Sequence, residues 1–327
     1  MRAVVIEQYG DPKAVLSVRD IPTPEPRGGE VLIKMAASPI NPSDVVFVEG
    51  NYGYRKTLPA IPGSEGVGTV VAANAGVYGR WLVGKRVSCA APDNGGGTWA
   101  EYMTCSAMAC APLWASTSLE FGAMLLANPV TAVSLVAMAQ RHSRGGFIQT
   151  AAGSALGRMT ARWARHRGVP AIHVARSEAA AAMLRAAGED YVLVSSAPDF
   201  DDQLAALARG LNATIAFDAV GGAMTRRLAT ALPRSGRVVV LGGLSGEAAQ
   251  LDVRDAVFEA KSIEGFWLPF EIRRIGTLGL LRRVATVQRM GEAMFGAPVL
   301  ARLPYERIGE AIALQPRGTE GKVLLVP

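Results

Sequence analysis

From residue 147 the chain alternates short apolar runs with stretches of helical period, and no other feature restricts its fold so tightly. The apolar runs are GFIQT, AIHVA, DYVLVS, ATIAFDAVGG and GRVVVLGGLSG. Between them stand a helical stretch through Ala161 to Arg167, then SEAAAAMLRAAG, FDDQLAALARG and AMTRRLATAL. Strands separated by helices of that length imply right-handed β-α-β crossovers, and hence a parallel sheet covered on both faces. Ligands of such doubly wound sheets bind beyond the carboxyl ends of the strands, where the strand order reverses. Attention therefore falls on the residues that follow each strand.

The first third of the chain has another texture. AVVIEQ, VLSVRDIP, EVLIKMAASPI, GVGTVVAA and KRVSCAA read as strands punctuated by Pro and Gly. After SIEGFWLP a helical texture resumes to about Phe295, and ARLPYERIGEAIAL and GKVLLVP close the chain. The expected organisation is a β-rich domain over 1–121, completed by 297–327, with an α/β domain over 122–296. A length of 327 residues allows each domain its own core.

Composition excludes several classes of function. Half of the residues are hydrophobic and 19% are charged, which describes a globular chain. The longest apolar runs, such as Phe121 to Val130, are broken by Gly, Asn and Pro and are too short to span a bilayer. MRAVVIEQYG reads as a strand entering a turn rather than a secretory signal, so a cytoplasmic protein with no membrane partner is expected. The net charge of +6 is carried largely by Arg and suits anionic partners, such as phosphorylated cofactors or acyl thioesters. The Arg residues are scattered, without an aromatic-interleaved basic stripe, so nucleic acid is not an expected partner. Three cysteines (Cys89, Cys105, Cys110) and three histidines (His142, His166, His173) make neither a disulfide framework nor a zinc site.

The run QTAAGSALGRM follows a strand and opens a helix. Ala152, Ser154 and Gly157 provide the small residues that let backbone amides approach a pyrophosphate, in a relaxed form of the dinucleotide fingerprint. At the end of the next strand stands Arg176, where an NAD site usually has an acid for the ribose hydroxyls. A guanidinium fits a 2′-phosphate instead, so the expected cofactor is NADPH.

Nine landmarks in order carry a resemblance. They are NPSD (Asn41 to Asp44), GNYG (Gly50 to Gly53), PGSEGVG, ANPVTA (Ala127 to Ala132), AAGSALG, FDAVGG, LGGL, GFWL and GKVLL. Together they resemble the medium-chain dehydrogenase/reductase superfamily over essentially the whole chain. The resemblance implies a GroES-like β-rich catalytic domain plus a Rossmann domain. Zinc-dependent members have a Cys near NPSD and a His within the PGSEG segment, where this chain has Ser43 and Ser64, and their four-cysteine lobe is absent. The chain looks like the zinc-free branch, and no metal ligand is expected.

Within that branch it is similar to NADPH-dependent 2-enoyl thioester reductases of the mitochondrial type, with quinone oxidoreductases as the nearest rivals. The resemblance makes Tyr52 the catalytic residue. It assigns cofactor contacts to Asn128, to Gly153, Ser154, Ala155 and Leu156, and to Arg176 and Ser177. Further contacts fall on Gly242, Gly243 and Leu244, on Phe266, Trp267 and Leu268, and on Lys322. Asn41 and Thr131 could hold the nicotinamide or the substrate carbonyl. The family is commonly dimeric through Rossmann sheet edges, with VVVLGGLSG a natural place for that pairing, so a homodimer is expected.

Reducing an activated C=C without metal requires a hydride at the β carbon, oriented donors for the enolate oxygen, and a proton for the α carbon. A phenol, of ordinary pKa about 10, stays protonated at neutral pH and is acidic enough to quench an enolate. The expected substrate is an enoyl thioester, or else a quinone. The basic stretch EIRRIGTLGLLRRVATVQRM could dock an acyl carrier protein, but a solvated amphipathic helix is the favoured reading.

Overall fold

The computed structural model describes residues 1–143, 145–314 and 321–327. It divides into two compact units, Met1–Ala127 with Val284–Pro327, and Asn128–Arg283. The first unit begins with β1 (Arg2–Ile6), β2 (Leu16–Asp20), β3 (Glu30–Pro39), β4 (Glu65–Asn74), β5 (Arg86–Ala90), β6 (Tyr102–Ser106) and β7 (Cys110–Pro112). The second carries β8 (Phe147–Gln149), β9 (Ala171–Ala175), β10 (Tyr191–Val194), β11 (Ile215–Asp218), β12 (Arg237–Val240) and β13 (Ser262–Gly265). The chain then returns to the first unit with β14 (Val299–Pro304) and β15 (Lys322–Val326).

In the first unit β1 and β2 form a ribbon, and a seven-stranded sheet runs β14-β15-β3-β4-β5-β7, with β6 also paired to β3. Ten-residue β3 organises this sheet. It pairs antiparallel with β4 along its length, with β6 at Glu30 to Lys34, and with β15 at Ser38 and Pro39. Its inward side chains Val31, Ile33 and Met35 pack with Val70, Leu82, Val87 and Met103. Each such aliphatic side chain taken from water contributes roughly 1.5–3 kcal/mol. A second cluster joins Val4, Ile40 and Trp99 to Val323 and Leu325, so the last strand completes the domain that the first 127 residues begin.

The second unit is a six-stranded parallel sheet in the order β10-β9-β8-β11-β12-β13. The order reverses between β8 and β11, which makes that pair the switch point. Ile148, Ile172, Val174, Ala216 and Val238 are buried in its core, with Phe200, Leu204 and Leu228 packed from the helices Phe200–Gly210 and Ala223–Ala231. Among the described residues no helix is long and apolar enough to cross a membrane.

The observed unit boundaries, 127/128 and 283/284, stand against expected ones at 121/122 and 296/297. The helix Leu119–Ala123 stays with the first unit because Ala123 and Met124 pack with Ala37, Val67 and Leu324. One expectation fails. VVVLGGLSG cannot offer a free sheet edge, because β12 is paired on both sides, to β11 and to β13. The edge strand on that side is β13, whose sequence SIEG carries only Ile263 as a strand-forming signal; β10 is the other edge.

Candidate active site

In a parallel sheet every carboxyl end lies on one edge, so the residues after the strands collect there. Those after β8 (Gly153 to Leu156), β9 (Arg176, Ser177), β12 (Gly242 to Leu244) and β13 (Phe266 to Leu268) are thereby brought together. Ala151 takes a left-handed φ of 49° to turn the chain, and Ser154 caps the helix Ala155–His166 by accepting from Gly157 N at 3.0 Å. Ser154 occupies a position that Ala would leave uncapped, at a cost of about 1 kcal/mol. A Cβ on Gly157 would lie 2.6 Å from the carbonyl oxygens of Ala151 and Ala152. Glycine here is therefore what lets the helix start this close to its strand. Amides at such a start point toward whatever fills the turn, and the helix dipole favours an anion there.

The switch point holds a residue that sequence reading overlooked. Asp218, at the end of β11, is fully buried. Its Oδ1 accepts from Thr150 Oγ1 at 2.8 Å and Val220 N at 2.9 Å, and its Oδ2 from Thr225 Oγ1 at 2.7 Å and Gly221 N at 3.2 Å. Four donors offset the burial of the carboxylate and tie the turn after β8 to the turn after β11. The FDAVGG landmark was visible, yet the sequence could not show that its Asp faces inward. Gly242 also needs its missing side chain, because a Cβ would stand 3.0 Å from Ala219 O.

Arg176 is exposed immediately beyond β9, and among the described residues no acid pairs with it. Glu178, two residues on, is held by Arg185 at 2.5 Å. Ser177 caps the helix Glu178–Ala186 by accepting from Ala180 N at 3.3 Å. Among the described residues no carboxylate is bonded to the Arg176 guanidinium, a charge pattern suited to a phosphate. Trp267 is half-buried, edge-on to Phe270 with ring centroids 4.7 Å apart, and Phe266 is tied back through its amide to Val240 O at 2.8 Å. Asn128 is half-buried and Thr131 buried on the helix Ala127–His142.

In the first unit, Asn41 starts the helix Pro42–Val48, and its amide donates to Asp44 Oδ2 at 2.8 Å. The same Asn41 donates through Nδ2 to Glu65 Oε1 at 2.9 Å and accepts from Lys322 Nζ at 2.5 Å. Glu65 Oε2 takes the amides of Leu126 and Ala127 at 3.1 and 2.8 Å. Asn41, Asp44, Glu65 and Lys322 are all buried. Burial raises both carboxyl groups above their ordinary range and lowers the ammonium. Two acids face one base in a dry setting, which favours neutralisation over a full set of charges. Lys322 and Asn41, expected as cofactor contacts, are thus bonded to each other. The Glu of PGSEG belongs to this network and was missed, because a buried Glu looks like a surface residue in sequence.

Tyr52 follows that helix. It is half-buried, edge-on to Tyr54 with centroids 5.1 Å apart, and packs in a cluster with Phe47 and Tyr9. It lines a cavity of about 10 Å³, room for one water, together with Ser43, Asp44, Lys56 and Ser64. Lys56 is buried there. Burial lowers its ammonium to about 8, and it donates to Gly96 O at 3.0 Å. Burial raises the Tyr54 phenol well above its ordinary value, and the nearby Tyr52 adds to the effect.

A nucleotide-type parallel sheet joined to a β-rich domain with a buried polar centre defines the architecture of a two-domain, nicotinamide-dependent oxidoreductase. Residues 27–115 match the alcohol dehydrogenase GroES-like domain family, and residues 155–279 match the zinc-binding dehydrogenase family. The mitochondrial enoyl-[acyl-carrier-protein] reductase of Arabidopsis thaliana is 30% identical over 272 residues, 82% of this chain and 72% of that protein. A candidate NADPH:quinone reductase of Mesorhizobium loti superposes with a TM-score of 0.90 at 31% identity, covering 100% of this chain and 98% of that one. A mycobacterial protein solved with NADPH follows at 0.84 and 28%, with 100% of both chains covered. The chain belongs to the medium-chain dehydrogenase/reductase superfamily.

Proposed function

We propose that the protein is an NADPH-dependent, zinc-independent reductase of an activated C=C bond, acting on a 2-enoyl thioester with Tyr52 as the proton donor. One observation carries the reading: Ser43, Tyr52 and Ser64 line the same small cavity. Serine hydroxyls at 43 and 64 are poor zinc ligands beside Cys and His. The acids nearby are already engaged, Glu65 by Asn41 and two backbone amides, Asp44 by the Asn41 amide. Zinc does not fit this donor set, and no step is routed through it. Of the proton-bearing side chains on that cavity wall, Tyr52, Tyr54 and Lys56, the phenol of Tyr52 is the donor that the resemblance to enoyl thioester reductases supports.

NADPH does fit the second unit, where the missing side chains of Gly153 and Gly157 let the helix Ala155–His166 start close against its neighbours with its N-terminus at the turn after β8, and where the exposed Arg176 matches a 2′-phosphate. When bound, that cofactor supplies the hydride that reaches the β carbon. The amides that open the helix Ala155–His166 would hold its pyrophosphate, and Trp267 would offer an apolar wall. Tyr52 gives its proton to the α carbon, its ring held edge-on to Tyr54 within the cluster that contains Phe47. The Arabidopsis and other relatives named for enoyl reduction support the thioester. The Mesorhizobium neighbour favours a second reading, in which a quinone accepts the hydride.

The test is a panel of crotonyl and longer enoyl thioesters beside phenanthrenequinone, run with NADPH on the wild type and on Tyr52→Phe. Thioester turnover in the wild type, lost by orders of magnitude in Tyr52→Phe with KM for NADPH retained, supports the proposal. Turnover with quinone alone, or full thioester turnover in Tyr52→Phe, rejects it. We further propose a homodimer paired through β13, and carrier-linked acyl chains docking on the Arg-rich helix Leu268–Phe295. Steep salt dependence with carrier-linked but not free thioesters is the expected sign of that docking.

A further inference from the structure

A chain of buried polar side chains runs across the second unit to the phosphate turn, and nothing in the mechanism above uses it. Gln149, the last residue of β8, donates from Nε2 to Gly157 O at 3.0 Å, and the same nitrogen lies 2.7 Å from His173 Nδ1 on β9. His173 Nε2 lies 3.1 Å from Glu189 Oε2, and Glu189 Oε1 accepts from Arg165 Nη1 at 2.8 Å. Gln149, His173 and Glu189 are 3%, 2% and 8% exposed, whereas Arg165 reaches solvent. Three polar side chains this deep in a parallel sheet require a compensating role, since their desolvation is costly.

The donor pattern fixes the histidine's state. Gly157 O is a carbonyl and can only accept, so the Gln149 atom facing it is the amide nitrogen. That nitrogen meets His173 Nδ1 as a donor, so Nδ1 carries no proton. The proton sits on Nε2 and is donated to the Glu189 carboxylate, which Arg165 also neutralises. A second proton on His173 would set two donors against each other at 2.7 Å.

We propose that Gln149, His173 and Glu189 are positioning residues for the cofactor's phosphate turn, with His173 neutral in its Nε2–H form directing the Gln149 amide onto Gly157. Gly157 has no side chain of its own to anchor, and its carbonyl is where the chain meets the start of the helix Ala155–His166. The far end opens on a cavity of about 260 Å³ lined by Arg165, His173 and Glu189, away from the carboxyl edge of the strands. The inference rests on the NADPH reading of this turn.

The experiment compares wild type, His173→Asn and His173→Leu by NADPH calorimetry and steady-state kinetics, and reads the wild-type ring nitrogens by ¹⁵N NMR. Asn keeps an acceptor near the Nδ1 position, whereas Leu keeps only volume. Loss of one hydrogen bond that orders the turn raises KM and Kd for NADPH about threefold to tenfold in the Leu variant, with kcat unchanged. Asn restores affinity to within about twofold of wild type. The NMR expectation is one bare nitrogen, Nδ1, and one protonated nitrogen, Nε2, in the wild type. Equal NADPH affinity in all three proteins, or failure of Asn to restore it, overturns the proposal. So does an Nδ1–H or doubly protonated ring, which is readable even if the Leu variant does not fold. A wild type that binds no NADPH at all instead overturns the functional reading beneath it.

Discussion

Replacing Arg176 by Ala removes a side chain that buries no core surface and pairs with no acid among the described residues. Its loss should leave folding almost untouched, since exposed substitutions away from special features shift stability by about 0.5 kcal/mol or less. The consequence falls on the cofactor. A guanidinium-to-phosphate hydrogen bond contributes roughly 1.5–3 kcal/mol, and about 1.4 kcal/mol is tenfold in affinity. Exposure lowers this through solvent screening, so the lower half of that range applies, an increase of roughly tenfold to thirtyfold in KM for NADPH. Glu178 does not compensate, because Arg185 holds it at 2.5 Å. NADH has no 2′-phosphate, and its KM should move by about twofold or less. The assay is initial rate against each cofactor at saturating acceptor, in low salt and again near 0.5 M salt. The ratio of the two KM values should collapse toward that of the mutant at high salt even in wild type. An equal rise for NADH and NADPH would show that Arg176 shapes the loop rather than reads the phosphate, and the argument from charge would fail.

Gly157→Ala sets a methyl group 2.6 Å from two backbone oxygens that cannot swing away, so denaturant midpoints should show a loss of about 1–3 kcal/mol together with weaker NADPH binding. Asn41→Ala strips Lys322 of its hydrogen-bond acceptor and Glu65 of a donor; a loss of about 3 kcal/mol is expected, with turnover falling because the helix that leads to Tyr52 starts there. Lys56→Met probes pH. Its folded value near 8 lies below the unfolded one near 10.5, so the unfolded chain binds more protons between them and this residue's contribution to stability rises with pH through that window. Urea melts at pH 7 and pH 10 should show Met gaining up to about 3 kcal/mol over wild type at the lower pH and little at the higher one. A constant difference between the two proteins across both pH values would dismiss Lys56 as the titrating group.

The architecture was legible because periodicity and chain length speak about layers. The alternation after residue 147 appears as β8 to β12 in the second unit, and the phosphate turn and Arg176 stand at the carboxyl ends of β8 and β9. What escaped notice shares a physical cause. Asp218, Glu65, Gln149 and His173 are polar residues whose roles depend on burial, and a sequence shows a residue's chemistry without its depth. The strand SIEG was missed for the complementary reason: it holds one apolar residue, Ile263, and buries little, whereas YVLV at the other edge of the sheet is legible from its apolar run. The helix Pro42–Val48 was hidden by its run of β-branched residues, and its start is held by Asp44, whose Oδ2 accepts from the Asn41 amide. These cases converge on one inference about the catalytic unit. Tyr52, the proposed proton donor, sits on a short loop, and a loop alone does not hold such a group to a fixed geometry. Here the preceding helix is fastened at its start to Glu65 and Lys322, on strands β4 and β15, by the side chain of Asn41. The buried acid–amide–ammonium set in this chain therefore has a mechanical task, to fix where that helix begins. Its residues should tolerate substitution only where the replacement keeps both the acceptor for Lys322 and the donor to Glu65; Asn41→Asp keeps the acceptor and loses the donor, so it should weaken the start of the helix.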